Sequence, residues 1–183
     1  PRAALLPHIW LSDEEIRQGQ RLLEQLPDKA GTPPIALHPY ATHPDKAWKE
    51  AYWRQLVELF ESRGIPWIVI GRGSCMEGIP ASRNFTNRTS LRETCALLKS
   101  SSLLITGDSG PMHLAGAVGT PVLALFGPTT EEWGFFPAGP KDRVLESQLD
   151  CRPCTLHGKK HCDRNHACMQ SITPEQVMRA LDE

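Results

Sequence analysis

Two spacings of apolar residues alternate along this chain, one suited to buried strands and one to helices. Apolar runs at residues 35–37, 67–70, 103–105 and 122–126 have the length and β-branched content of strands, and a further strand is expected at 143–145. Between them the apolar residues recur at helical intervals. Ser12 and Glu15 form a capping-box pair that opens a helix with Ile16, Leu22, Leu23 and Leu26 on one face, and Pro27 is its expected stop. Residues 48–62 repeat the pattern until Gly64. Ser90 and Glu93 open a third helix, running to about residue 101. Thr173-Pro174-Glu175-Gln176 opens a terminal one, to about residue 181, with a cap, an early proline and a glutamine three places on. Residues 1–11 read as an extended lead-in, 74–82 as loop and 84–86 as a weak strand.

Such alternation predicts an α/β fold, a Rossmann-like doubly wound parallel sheet that binds its ligands at the carboxyl ends of the strands. Residues 103–129 carry the clearest unit. The first apolar run ends at Thr106-Gly107, Pro111 suits a first helical turn, and Gly119 suits a left-handed cap. Thr120-Pro121 blocks further helix, and the second run ends at Gly127-Pro128. The expected product is a right-handed strand–helix–strand unit. Its turn leaves backbone N–H groups unpaired at the positive end of a helix, which suits a phosphate or pyrophosphate.

At 183 residues the chain fits one domain, which would bury roughly 70% of its unfolded surface. A net charge of −1 argues against nucleic acid as a partner, since that needs a strongly basic face. No apolar run nears the roughly 18 residues of a membrane span. Residues 1–11 lack the apolar core of a secretory signal, and a first residue of Pro suggests a fragment.

Asp108-Ser109-Gly110-Pro111-Met112-His113, with Gly119-Thr120-Pro121 and Phe126-Gly127-Pro128-Thr129, resembles the signature of glycosyltransferase family 9, the lipopolysaccharide heptosyltransferases. In that family the signature belongs to the C-terminal half. The resemblance implies one half of a GT-B glycosyltransferase, with residues 1–31 as interdomain connector and helix and 32–183 as nucleotide-sugar donor-binding domain. It implies inverting transfer of heptose from ADP-heptose to a lipopolysaccharide core acceptor. No cofactor is required, and the ADP-sugar is a substrate. The catalytic base and the glycolipid contacts would lie on an N-terminal domain absent from these residues, so this chain alone would bind donor without transferring it. A cytoplasmic setting, peripheral on the inner membrane face, follows from the same resemblance. A sugar-nucleotide epimerase or another GT-B enzyme would share the fold, and a zinc-stabilised interaction module is the non-enzymatic alternative.

The family pattern also assigns residues. Thr42 and His43 would contact donor phosphate oxygens, and Lys46 would neutralise charge growing on the leaving diphosphate; a solvated lysine is the plain alternative. The family usually has glycine where Tyr40 stands, so this loop must bend differently. Ser109 and Gly110 would offer N–H groups and a hydroxyl to the pyrophosphate, with His113 one helical turn on. Asp108 would repel phosphate, so it is expected to face sugar hydroxyls or Lys46, or to cap the helix. Lys46 and Asp108 are thus the pair expected to support catalysis. Asn87-Arg88-Thr89-Ser90-Leu91 is similar to a family stretch lining the base, making Arg88 and Thr89 candidates there. Gly71-Arg72-Gly73 offers no acidic residue in register for the ribose, and the next is Glu77.

One segment stands apart. Cys151, Cys154, Cys162 and Cys168 gather beside His157, His161 and His166. Four thiolates can hold a structural zinc, though only the Cys151–Cys154 spacing is typical of one. Free or oxidised thiols are the alternative, with disulfides disfavoured in a cytoplasmic enzyme. Arg152, Lys159, Lys160 and Arg164 make a basic patch suited to a phosphorylated glycolipid or an anionic membrane, or simply a solvated loop.

Overall fold

The computed structural model describes residues 7–27, 31–155 and 161–183. His157, Lys159, Lys160 and the start of the lead-in lie outside the described residues.

Five strands form one sheet: β1 (Ile35–His38), β2 (Trp67–Val69), β3 (Leu103–Gly107), β4 (Val122–Phe126) and β5 (Arg143–Glu146). They pair in the order β2-β1-β3-β4-β5, every pair parallel. Among the described residues, six α-helices accompany these five strands: α1 (Asp13–Leu23), α2 (Glu50–Arg63), α3 (Leu91–Lys99), α4 (Gly110–Val118), α5 (Ala167–Gln170) and α6 (Pro174–Asp182). Successive strand side chains point to opposite faces, and the core divides accordingly. Ile35, Leu37, Ile105, Leu123 and Leu125 meet Trp53, Leu56 and Phe60 of α2 and Val177 of α6 on one face. Ala36, Leu104, Val122, Ala124 and Phe126 meet Leu97 and Leu98 of α3 and Met112 and Ala115 of α4 on the other. The sheet is therefore doubly wound.

The expected capping boxes form at α1, α3 and α6, and Gly64 and Gly119 take the left-handed conformation at the ends of α2 and α4. Boundaries differ where tertiary contacts override local pattern. α1 stops at Leu23, well before Pro27. Trp48 is not helical: its buried indole donates to the Ile172 carbonyl at 2.8 Å, which holds this stretch extended until α2 begins at Glu50. Asn84 makes a single parallel bridge to Val69 instead of a strand.

Strand order reverses between β1 and β3. The chain leaving β1 turns to one face to build α2, whereas the chain leaving β3 turns to the other to build α4. Diverging connections leave a crevice above these two carboxyl ends, where parallel α/β sheets bind ligands.

Candidate functional site

A cavity of about 550 Å³ occupies this crevice. The loop after β1 contributes Tyr40, Ala41 and Thr42, the β2 loop Gly71 and Arg72, and the start of α4 Ser109, Gly110 and Pro111. Thr89, Leu91 and Leu114 close an apolar side.

Beside the cavity, the short 3-10 turn Pro44–Lys46 aims a lysine at the α4 terminus. Lys46 Nζ lies 2.5 Å from Asp108 Oδ2, both side chains being largely buried. The Thr129 hydroxyl donates to the same oxygen at 3.2 Å. Asp108 does not cap α4. The capping position is Ser109, extended and without a side-chain cap bond, so the first-turn amides of α4 keep no side-chain acceptor. The ammonium and the positive helix end therefore meet on the same side of the sheet.

The Ser109 hydroxyl lies 2.9 Å from Thr106 Oγ1 and 3.3 Å from His38 Nδ1, which is itself 3.1 Å from Thr106 Oγ1. Burial lowers the His38 pKa from 6.5 to about 4. Its ring is neutral at pH 7, so it orients hydroxyls at the cavity floor without adding charge. Sequence reasoning had not assigned His38; its position at a strand end entering the loop was the available signal.

Tyr40 finds its room in the β2 loop. A Cβ on Gly73 would stand 2.4 Å from the Tyr40 ring, and one on Gly71, whose φ is +121°, only 2.5 Å from the His38 ring. The phenol meets Thr86 Oγ1 at 2.7 Å, and burial pushes its pKa up. Glycines that the tyrosine requires thus lie across the crevice from it.

The remaining candidates divide. Thr42 and Thr89 line the cavity, and Thr89 Oγ1 lies 2.9 Å from Thr94 Oγ1. His43 is half-buried at the head of the 3-10 turn and His113 is exposed on α4; neither lines the cavity. Arg88 does not line the cavity, and its guanidinium donates to the carbonyls of Ala81 and Asn84 at 2.7 and 3.0 Å, bracing its own loop. Arg72, exposed on the cavity rim, is a cation the sequence reading named only for what it was not.

Cys151, Cys154, Cys162 and Cys168 line one small cavity of about 260 Å³ with Asp45 and His166. All four are free thiols, and burial pushes the Cys168 thiol up. Among the described residues, no three His, Cys, Asp or Glu side chains group as metal ligands. Of the basic patch, Lys159 and Lys160 lie outside the described residues. Arg152 is buried, donating to the carbonyls of Gly127, Ser147 and Thr129 and pairing with Glu146 at 2.7 Å. Arg164 pairs with Asp150 at 2.7 Å. Among the described residues, no helix is long and apolar enough to cross a membrane.

Comparison with known proteins agrees with the family resemblance. Lipopolysaccharide heptosyltransferase 1 of Pseudomonas aeruginosa is 35% identical over 153 residues, covering 76% of this chain and 40% of that protein. The fold is shared with a glycosyl transferase family 9 structure from Veillonella parvula (TM-score 0.74, 24% identity, 96% of this chain and 52% of that one). It is also shared with Escherichia coli ADP-heptose lps heptosyltransferase II (TM-score 0.71, 22% identity, 100% and 54%). The chain thus spans about half the length, or less, of the proteins it matches. The model of glycosyltransferase family 9 (heptosyltransferase) matches residues 7–163, and with a doubly wound sheet carrying a lysine and a helix terminus at its crevice, the chain belongs to that family.

Proposed function

We propose that this chain binds the ADP-sugar donor of a heptosyltransferase acting on a lipopolysaccharide core acceptor. The observation that carries the reading is the meeting of the Lys46 ammonium with Asp108, directly before the uncapped α4 terminus whose Ser109 and Gly110 line the crevice cavity. A diphosphate would sit between them, held by the Ser109 and Gly110 amides and by Lys46. Leu91, Pro111 and Leu114 would pack against the base. Asp108, whose two protein contacts both fall on Oδ2, would offer Oδ1 to a sugar hydroxyl.

In transfer, an acceptor oxygen attacks the anomeric carbon from the face opposite the departing ADP, inverting that centre. Lys46 and the helix amides stabilise the negative charge that gathers on the diphosphate. The base that takes the acceptor proton and the glycolipid contacts are assigned to another domain of the whole enzyme. Isothermal calorimetry tests the reading: ADP should bind more tightly than UDP. At 100 times its dissociation constant ADP should raise stability by about 2.7 kcal/mol. No heat and no stabilisation at saturating ADP would overturn it.

A further inference from the structure

Asp45 places a second carboxylate next to Lys46, within the same 3-10 turn. The Asp45 carboxylate lines the cysteine cavity and not the donor crevice, but it would swing a second negative charge toward a diphosphate at Lys46 unless something held it back. His166 does so: its Nε2 lies 2.7 Å from Asp45 Oδ1, across 121 residues of sequence. The histidine is itself held in an uncommon backbone state. Asn165 and His166 are consecutive non-glycine residues in the left-handed region, at φ +49° and +54°, a state that persists only where surrounding contacts enforce it. The His166 amide donates to Cys162 Sγ at 3.2 Å, and the Gln170 side chain donates to the Asn165 carbonyl. Three further bonds join this segment to the same loop and helix: Trp48 to the Ile172 carbonyl, Lys49 to Gln170, and Tyr52 to the Gln170 carbonyl. Two of those end on backbone carbonyls and the third on the Gln170 side chain, whereas the His166 contact reaches the carboxylate next in sequence to Lys46.

We propose that His166 is a positioning residue of the donor site, which holds the Asp45 carboxylate away from the diphosphate and leaves Lys46 to the ligand. This rests on the donor-site reading above. An unrestrained carboxylate near a diphosphate costs about tenfold in affinity at the intermediate dielectric of a cleft. The cost falls on phosphate binding alone, because the nucleoside meets the other side of the cavity.

Binding of ADP and of adenosine to the full chain, followed by calorimetry or NMR titration, separates the outcomes. His166→Ala should weaken ADP about tenfold and leave adenosine unchanged. His166→Gln, which can keep a donor near the Nε2 position, should retain most of the affinity. Asp45→Asn combined with His166→Ala should restore ADP binding, since the charge is gone. Asp45→Asn alone should bind ADP at least as tightly as the parent, which keeps the test decisive if His166→Ala does not fold. Equal loss of ADP and adenosine, failure of the double variant to recover, or weaker ADP binding by Asp45→Asn alone would overturn the proposal. A parent chain that binds neither ligand would overturn the donor-site reading beneath it.

Discussion

The two loops that meet at the crevice are held in opposite ways. The turn after β3 is built from neighbouring residues. Ser109 is extended, Pro111 suits the first turn and Gly119 ends the helix in the left-handed region. The loop after β1 has no comparable local support. Its 3-10 turn and the α2 start both lack a side-chain cap, and apart from Tyr40 to Thr86 and Lys46 to Asp108 the contacts described for it come from residues 121 to 124 positions away. One half of the site is thus encoded beside itself, and the other depends on the C-terminal segment.

The largest expected effect breaks the link between the halves. Lys46→Met removes one partner of a largely buried pair and leaves Asp108 uncompensated. The expected loss is roughly 3–5 kcal/mol in a urea titration, together with nearly all ADP binding. Wild-type stability would mean that the pair contributes little to the fold.

Next comes the floor beneath both loops. The folded state lowers the His38 pKa to about 4, so folding favours the neutral ring. That contribution is complete above an unfolded value near 6.5 and is lost as pH falls through 4. Roughly 3 kcal/mol should disappear across this window. His38→Gln should remove the corresponding part of the pH dependence in thermal unfolding at pH 7 and pH 5.

Smaller effects separate the two loops. Trp48→Phe deletes the indole donor and strands the buried Ile172 carbonyl, costing about 1–2 kcal/mol. Amide exchange should accelerate in the loop after β1 and stay unchanged at the start of α4. Ser109→Ala should cost about 1 kcal/mol or less, because this hydroxyl belongs to the Thr106–His38 group and does not cap the helix. A full capping loss on Ser109→Ala would contradict the local account of that turn.

The same contrast explains what was legible in the sequence. The fold followed from apolar runs, three capping boxes and glycine stops, all of which act over a few residues. The α4 turn was legible for the same reason, whereas the family resemblance favoured sugar contact for Asp108 and its pairing with Lys46 was the alternative that repulsion from phosphate left open. The bonds of Arg88 to nearby carbonyls were not legible, because a motif fixes a place along the chain but not a side-chain direction. Trp48 carries a helical pattern, yet a bond spanning 124 residues keeps it extended. His38 escaped notice because its neutrality arises from burial, which exists only once the sheet has assembled. Arg152 looked like a surface cation because nothing near it in sequence reveals the carbonyls it would reach.

Amide chemical-shift mapping during titration with ADP tests the central claim most directly. The account predicts the largest shifts at Ser109 and Gly110, with smaller ones at Thr42, Lys46 and Thr89, and loss of the phosphate-dependent part when adenosine replaces ADP. Shifts centred instead on the separate cavity by Thr32, Pro34 and Ser101, with Ser109 and Gly110 unmoved, would contradict it.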